Sequence, residues 1–198
     1  TEMLKKLEGQ GHMYGLDVDP IEIVKTKARL KERGFDGDIL TVKQMNFADI
    51  DKLVPETGLF DFVLADLGVS SMQIDNPERG FTYKADGPLD LRLDPEKGIS
   101  AAERLKQMDK EEIAGMLVEN SDEPYAEEIA REIAKRTRKH LYIETTMELK
   151  GVIETTLAFI PEKERKEAVK KSCQRCFQAL RIDVNQEFEV LESFLSKL

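Results

Sequence analysis

Two aspartates close apolar segments in this chain, and a carboxylate in that position is the first candidate for chemistry. Asp17 ends the strand-like stretch that begins at His12, and Asp66 follows the unbroken run Phe62-Val63-Leu64-Ala65. In open α/β sheets, ligands sit just beyond the carboxyl ends of the strands. An acidic side chain there accepts hydrogen bonds from the hydroxyls of a ribose, and two short bonds to a charged acceptor fix a nucleoside's orientation. The rival role, for one of Asp17 and Asp19 in Leu16-Asp17-Val18-Asp19, is to cap the next helix. Asp19, followed by Pro20, suits the N-cap of the next helix, which leaves Asp17 for the ligand. Phe47, in Met45-Asn46-Phe47, is either an edge on which an adenine rests or a core aromatic. Asp66 is either a site residue or a loop cap.

These side chains need elements to hold them. Leu4 and Leu7, with Gly9 as a stop, read as the end of a helix, which Thr1-Glu2-Met3 enters directly. Residues 12–17 read as a strand, and the helix opened by Asp19-Pro20 runs through Ile21, Val24 and Ala28 to Gly34. Residues 39–44 read as a second strand. Residues 60–66 read as a third, apolar enough to be buried on both faces of a parallel sheet. Alternating helix and strand predicts a Rossmann-like parallel sheet. From about residue 100 the pattern turns helical. Ser100 with Glu103, Asp109 with Glu112 and Thr145 with Glu148 have capping-box spacing, each followed by apolar residues at helical intervals. A final helix repeats apolar residues at 177, 180, 184, 188, 191, 195 and 198, a stripe expected to pack on the sheet. The expected organisation is a sheet domain from 1–74 and 173–198, with a loop and helical insertion at 75–172.

Composition excludes some classes. The chain has 198 residues, 40% apolar and 35% charged, room for one domain or one domain carrying an insertion. No apolar run approaches the ~20 residues of a membrane helix, and no secretory signal is visible. Two cysteines point to a reducing cytoplasm rather than a disulfide framework. Cys173 and Cys176 form a lone CxxC with no second pair, so zinc is not expected, and His12 and His140 read as incidental. Gly9, Gly11 and Gly15 precede a strand and lack the spacing of a dinucleotide fingerprint. The net charge of −9 neither proves nor excludes nucleic acid, because phosphate binding depends on local clusters. Two clusters exist, Lys135 to His140 and a more dilute one from Lys163 to Arg175.

The loop that Asp66 opens resembles a known signature. Asp66-Leu-Gly-Val-Ser-Ser71, Gln73-Ile74-Asp75, Glu78-Arg-Gly-Phe81 and Asp86-Gly-Pro-Leu-Asp-Leu-Arg-Leu-Asp94 resemble the MraW family. A second segment, Cys176-Phe-Gln-Ala-Leu-Arg-Ile-Asp-Val-Asn185, resembles that family's other signature, with Cys176 where the family usually has Thr. The resemblance runs over essentially the whole chain. It implies an S-adenosylmethionine-dependent methyltransferase acting on N4 of a cytosine in 16S ribosomal RNA. The implied fold is a class I methyltransferase sheet, Rossmann-like and incomplete in this chain, with an all-helical insertion. The family's Gly-rich cofactor loop would lie upstream of Thr1, and its further strands and a Ser-Phe-His-Ser motif beyond Leu198.

By the same resemblance Asp17 binds the ribose, Phe47 the adenosine, and Asp66 and Gln73 the cofactor. Methyl transfer from a sulfonium is an in-line displacement that needs no metal, only close alignment of acceptor and methyl. The N4 amine of cytosine is a weak nucleophile. Asp66, accepting one of its hydrogens, would help localise its lone pair and is the catalytic candidate. Phe81, Tyr83 and Arg92 lie in the following loop, placed to stack an extracted base or hold its phosphate. The implied partner is 16S ribosomal RNA or the small subunit, in the cytoplasm and away from membranes, with a homodimer left open. Two rivals stand. One is a methyltransferase with another acceptor, although Asp66-Leu-Gly-Val replaces the Asn/Asp-Pro-Pro-Tyr/Phe of DNA amino-methyltransferases. The other is an inert fragment that serves as a binding or dimerising module.

Overall fold

The computed structural model describes residues 2–35 and 37–198, so Thr1, read above as entering the first helix, lies outside them. The protein is mixed α/β, with a two-stranded parallel sheet and many helices. Its contacts divide it into two compact units, Thr1–Asp66 with Phe188–Leu198, and Leu67–Glu187. No helix of the described residues is long and apolar enough to cross a membrane.

The first unit begins with α1 (Glu2–Lys6), followed by β1 (Met13–Asp17), α2 (Pro20–Glu32) and β2 (Leu40–Gln44). The strands run parallel with Met13 opposite Leu40 and Asp17 opposite Gln44, so their carboxyl ends coincide. α2 starts where Asp19 and Pro20 predict. The buried Asp19 carboxylate accepts the N–H groups of Ile21 (2.9 Å) and Glu22 (3.3 Å), satisfying two donors that a helix start leaves orphaned. The buried face differs from the expected one. Ile23 and Leu30 are inside, whereas Ile21 and Val24 are exposed, because Leu30 packs with Leu4 and Leu40 in a small cluster that sets the helix rotation. A 3-10 segment (Phe47–Leu53) and α3 (Val54–Thr57) follow.

The third expected strand is a correction. Residues 60–66 belong to no strand, and the sheet of the described residues has two. Phe62 is 69% exposed and Leu64 64%. A parallel strand needs a hydrogen-bonding neighbour and cover on both faces. Here the run touches the sheet's aromatics through Phe60, edge-on to Tyr14 of β1 at 5.9 Å.

The second unit is helical: α4 (Ser71–Ile74), α5 (Ala101–Gln107), α6 (Lys110–Ser121), α7 (Ala126–Arg138), α8 (Thr146–Thr156) and α9 (Glu162–Asn185). Each predicted capping Ser, Asp or Thr accepts the N–H three residues on, and at Asp109 and Thr145 the glutamate returns the bond. α6 packs against α7 and α9. α7 buries Ala126, Ile129, Ala130, Ile133 and Ala134, the i, i+3, i+4, i+7 stripe of an amphipathic helix. Each buried isoleucine contributes roughly 1.5–3 kcal/mol.

The final helix is also corrected. It breaks at Gln186 (φ 51°) into α9 and α10 (Glu187–Leu195). Phe177 and Leu180 join the helical core, whereas Phe188, Leu195 and Leu198 are exposed and Phe194 is buried instead. The units therefore divide at 66/67 and 187/188, where the sequence suggested 74/75 and 172/173, since α9 is continuous through residue 173 and stays whole within one core.

Candidate active site

Asp17 and Phe47 are brought to one end of the first unit. The N–H of Met45 donates to the Asp17 carbonyl (2.9 Å), so the segment leading to Phe47 leaves the sheet beside the Asp17 backbone. The Asp17 residue is exposed, and its Oδ1 accepts the Asp19 N–H at 2.9 Å. Partial burial of the carboxyl raises its pKa from the ordinary aspartate value, and the charges of Asp19 and Glu22 add to the rise. Asn46 accepts the Ala48 N–H (3.0 Å) and starts the 3-10 turn that carries Phe47. The half-buried Phe47 ring stands edge-on to Phe194 at 5.2 Å. It therefore packs on one side while keeping surface on another.

Asp66 is exposed at the last position of the first unit. Gln73 is buried in the second unit, where its Oε1 accepts the Ser70 N–H (2.8 Å) and its own N–H donates to Ser70 Oγ (3.3 Å). This capping box orients the short α4, and its Ser-x-x-Gln spacing was readable but overlooked.

The three loop residues take different roles. Phe81 is 8% exposed, belongs to the helical core and lies under the Arg79 guanidinium, 5.6 Å from its ring centre. That burial removes it from the candidates for base stacking. Tyr83 is half-buried and edge-on to Phe177 at 5.8 Å, and burial raises its phenol pKa. Arg92 makes a two-pronged pair with Asp90 (Nε–Oδ1 2.8 Å, Nη2–Oδ2 2.7 Å) and also donates to the carbonyls of Lys97 and Gly98. The Asp90 hydrogen bonds raise its pKa further. With its fork committed in this way, Arg92 braces the loop.

Sequence reasoning missed the residues that join the two signature segments. Asn185 at the end of α9 accepts the Leu93 N–H (2.7 Å) and donates to the Leu91 carbonyl (2.8 Å). Asp183 pairs with Arg104 (2.8 Å), and Arg79 Nη2 donates to the carbonyls of Arg92 and Leu93, each at 3.0 Å. Leu91 is held at φ 64° while 1% exposed, a left-handed conformation costly for a branched side chain. Backbone meets backbone nearby. A Cβ on Gly80 (φ 73°) would collide with the Pro88 carbonyl, and one on Gly87 with that of Pro77. The sequence signal for this clasp was the polar residues Arg181, Asp183 and Asn185 at the end of a helix that buries Phe177, Leu180 and Ile182. Cys173 and Cys176 are buried packing groups nearby, and burial pushes the Cys173 thiol up to about 12.

Comparison with known proteins accounts for these segments together. The MraW methylase family matches residues 1–198. A ribosomal RNA small subunit methyltransferase H 1 of Lachnoclostridium phytofermentans is 67% identical over 197 residues, covering 100% of this chain and 54% of that protein. Its counterpart in Agathobacter rectalis is 65% identical, over 99% of this chain and 56% of the relative. A methyltransferase H 2 of Alkaliphilus metalliredigens is 58% identical, with 100% and 56% covered. The chain thus spans about half the length of the curated relatives it matches, and across all of its own residues it belongs to the MraW methylase family.

Proposed function

We propose that the chain is part of an S-adenosylmethionine-dependent methyltransferase acting on N4 of a cytosine in 16S ribosomal RNA, in the cytoplasm. The carrying observation is the match of all 198 residues to a methylase family. The names of the relatives, small-subunit RNA methyltransferases, support the substrate. In this reading the parallel pair β1–β2 is part of a Rossmann-like sheet. The second unit is then the substrate-recognition insertion.

The residues at the carboxyl ends of β1 and β2 fit the cofactor. An exposed carboxylate and a half-buried aromatic, both just past parallel strands, suit a ribose and an adenine. When bound, S-adenosylmethionine supplies an electrophilic methyl group on a sulfonium. Asp17 accepts the ribose hydroxyls, Phe47 lies against the adenine, and Gln73 orients the loop that follows Asp66. Asp66 accepts a hydrogen of the acceptor amine, which localises the nitrogen lone pair. Tyr83 presents its exposed edge to the base, and Arg92 keeps the 90–98 turn in shape. Tyr83→Ala and Arg92→Ala are expected to lose turnover while the cofactor still binds.

Calorimetric titration of S-adenosylmethionine, with Asp17→Ala as control, tests the reading. Saturable binding that the substitution abolishes supports it, and labelled methyl transfer to small ribosomal subunits is the next measurement. A second reading, that these residues alone are catalytically inert and serve as a binding or dimerising module, is favoured by the exposed run 62–64. It predicts cofactor binding only in a chain extended to the relatives' length. Absence of binding in both chains refutes the methyltransferase reading.

A further inference from the structure

A cleft in the second unit lies between the start of α7 and the first half of α9. Its volume is about 400 Å³, and Tyr125, Lys163, Glu164, Glu167, Lys171 and Arg175 line it. The α9 residues recur at intervals of three to four, so one helix face forms the wall. The opposite wall is pinned. Buried Glu123 accepts both the Tyr125 N–H (3.1 Å) and the Ser172 hydroxyl (2.8 Å), tying the α7 start to α9. Beside the cleft, Phe159 is 66% exposed and stands edge-on to Tyr125 at 6.0 Å.

We propose that this cleft holds one nucleotide of single-stranded RNA, with its base against Phe159 and Tyr125 and its phosphate beside Lys163, Lys171 and Arg175. This deepens the RNA-substrate reading and rests on it. Three observations favour that occupant. Among the described residues, Lys163 and Arg175 enter no ion pair, and Lys171 has only a loose one, 3.9 Å from Glu167. Three cations against two carboxylates leave a small positive excess in a chain of net charge −9, enough for one phosphate and too little for indiscriminate polyanion binding. An exposed phenylalanine braced by a tyrosine offers a flat face that only an unstacked base can reach, which excludes duplex RNA. Glu164 and Glu167 supply acceptors for a 2′-hydroxyl or an exocyclic amine.

The test uses this chain with a fluorescently labelled eight-nucleotide single-stranded RNA, read by anisotropy at low and moderate salt, and a duplex of the same sequence as control. Phe159→Ala and Phe159→Leu are expected to weaken single-strand binding roughly tenfold with little change in salt dependence, because stacking is lost. Lys171→Ala combined with Arg175→Ala should weaken binding and shrink the salt slope by about one to two. Thermal unfolding followed by circular dichroism should be unchanged for the Phe159 variants, since that ring is exposed. Binding within twofold of the parent for the Phe159 variants, equal affinity for duplex, or no single-strand binding by the parent chain would each overturn the cleft assignment. Cofactor titration separates the two readings. An intact cofactor response with unaffected RNA binding removes the cleft alone, whereas a cleft that behaves as described without cofactor binding in the extended chain removes the methyltransferase.

Discussion

Asn185 is the residue whose removal tests the structural reasoning most directly. Its side chain holds the Leu93 N–H at 2.7 Å and the Leu91 carbonyl at 2.8 Å, and it also donates to the Arg181 carbonyl one helical turn back at 2.8 Å. In Asn185→Ala the Arg181 carbonyl keeps its helical bond, while the two loop groups lose their partners. Leu91 is 1% exposed, so water reaches its carbonyl poorly. A buried polar group left unsatisfied costs about 1–3 kcal/mol, so two of them give roughly 3 kcal/mol. Relaxation of Leu91 from φ 64° recovers part of that. For a unit of this size roughly 3–4 °C of Tm accompanies each kcal/mol, so the expected drop is about 9 °C. Amide exchange in the core of the second unit, at Ile129 and Leu149, is the assay that avoids averaging over the two units. Both amides should exchange on the order of a hundredfold faster through global opening. Asn185→Asp keeps the acceptor and sets a second oxygen against the Leu91 carbonyl, so it should be no milder than alanine. A variant with parent exchange rates and a Tm within about 1 °C would refute the view that Asn185 clasps the loop.

Other side chains give outcomes of the same kind. The folded-state pKa of Asp17 is raised, so its ionisation opposes folding. The stability it contributes is present at low pH and lost as pH rises through the raised value. Asp17→Asn should therefore flatten the acid end of the Tm-against-pH curve and unfold slightly later at neutral pH. The same variant should lose at least about a hundredfold in cofactor affinity, from two charge-assisted bonds of about 1.5–3 kcal/mol each. Gly80→Ala places a Cβ against the Pro88 carbonyl and 2.8 Å from the Asp90 nitrogen at φ 73°; a loss of at least about 2 kcal/mol is expected in denaturant titration. Cys173 and Cys176 are both buried, with thiol pKa values pushed up by desolvation. Both should resist a thiol-specific reagent at pH 8 in the native chain and react promptly in denaturant.

Local chemistry was legible in the residues themselves. Asp19-Pro20, Asp109 with Glu112 and Thr145 with Glu148 start helices because the capping group and the orphaned N–H groups lie within one turn of chain. The parallel pair β1–β2 and the Asp17 position at its carboxyl end were readable for the same reason, since a strand, a crossover helix and a strand occur in one short stretch. Burial was less legible. The run 60–66 is as apolar as a central strand, but composition cannot supply a neighbour, and Phe62 to Ala65 stay exposed. The apolar repeat from 177 to 198 continues through Gln186, where the backbone turns left-handed, because periodicity does not register one residue's φ.

The sequence by itself determined where the helices opened by Asp19, Ser100, Asp109 and Thr145 begin and which family the two signature segments resemble, both of which depend on neighbours close in the chain. Only the tertiary structure decided that Phe81 is core and not a stacking platform, that Arg92 is committed to Asp90, and that Asn185 closes on Leu91 and Leu93 across more than ninety residues of chain. Those outcomes depend on which buried donors and acceptors find one another once the helical core has formed, and a single buried polar group left without a partner is costly enough to select the arrangement.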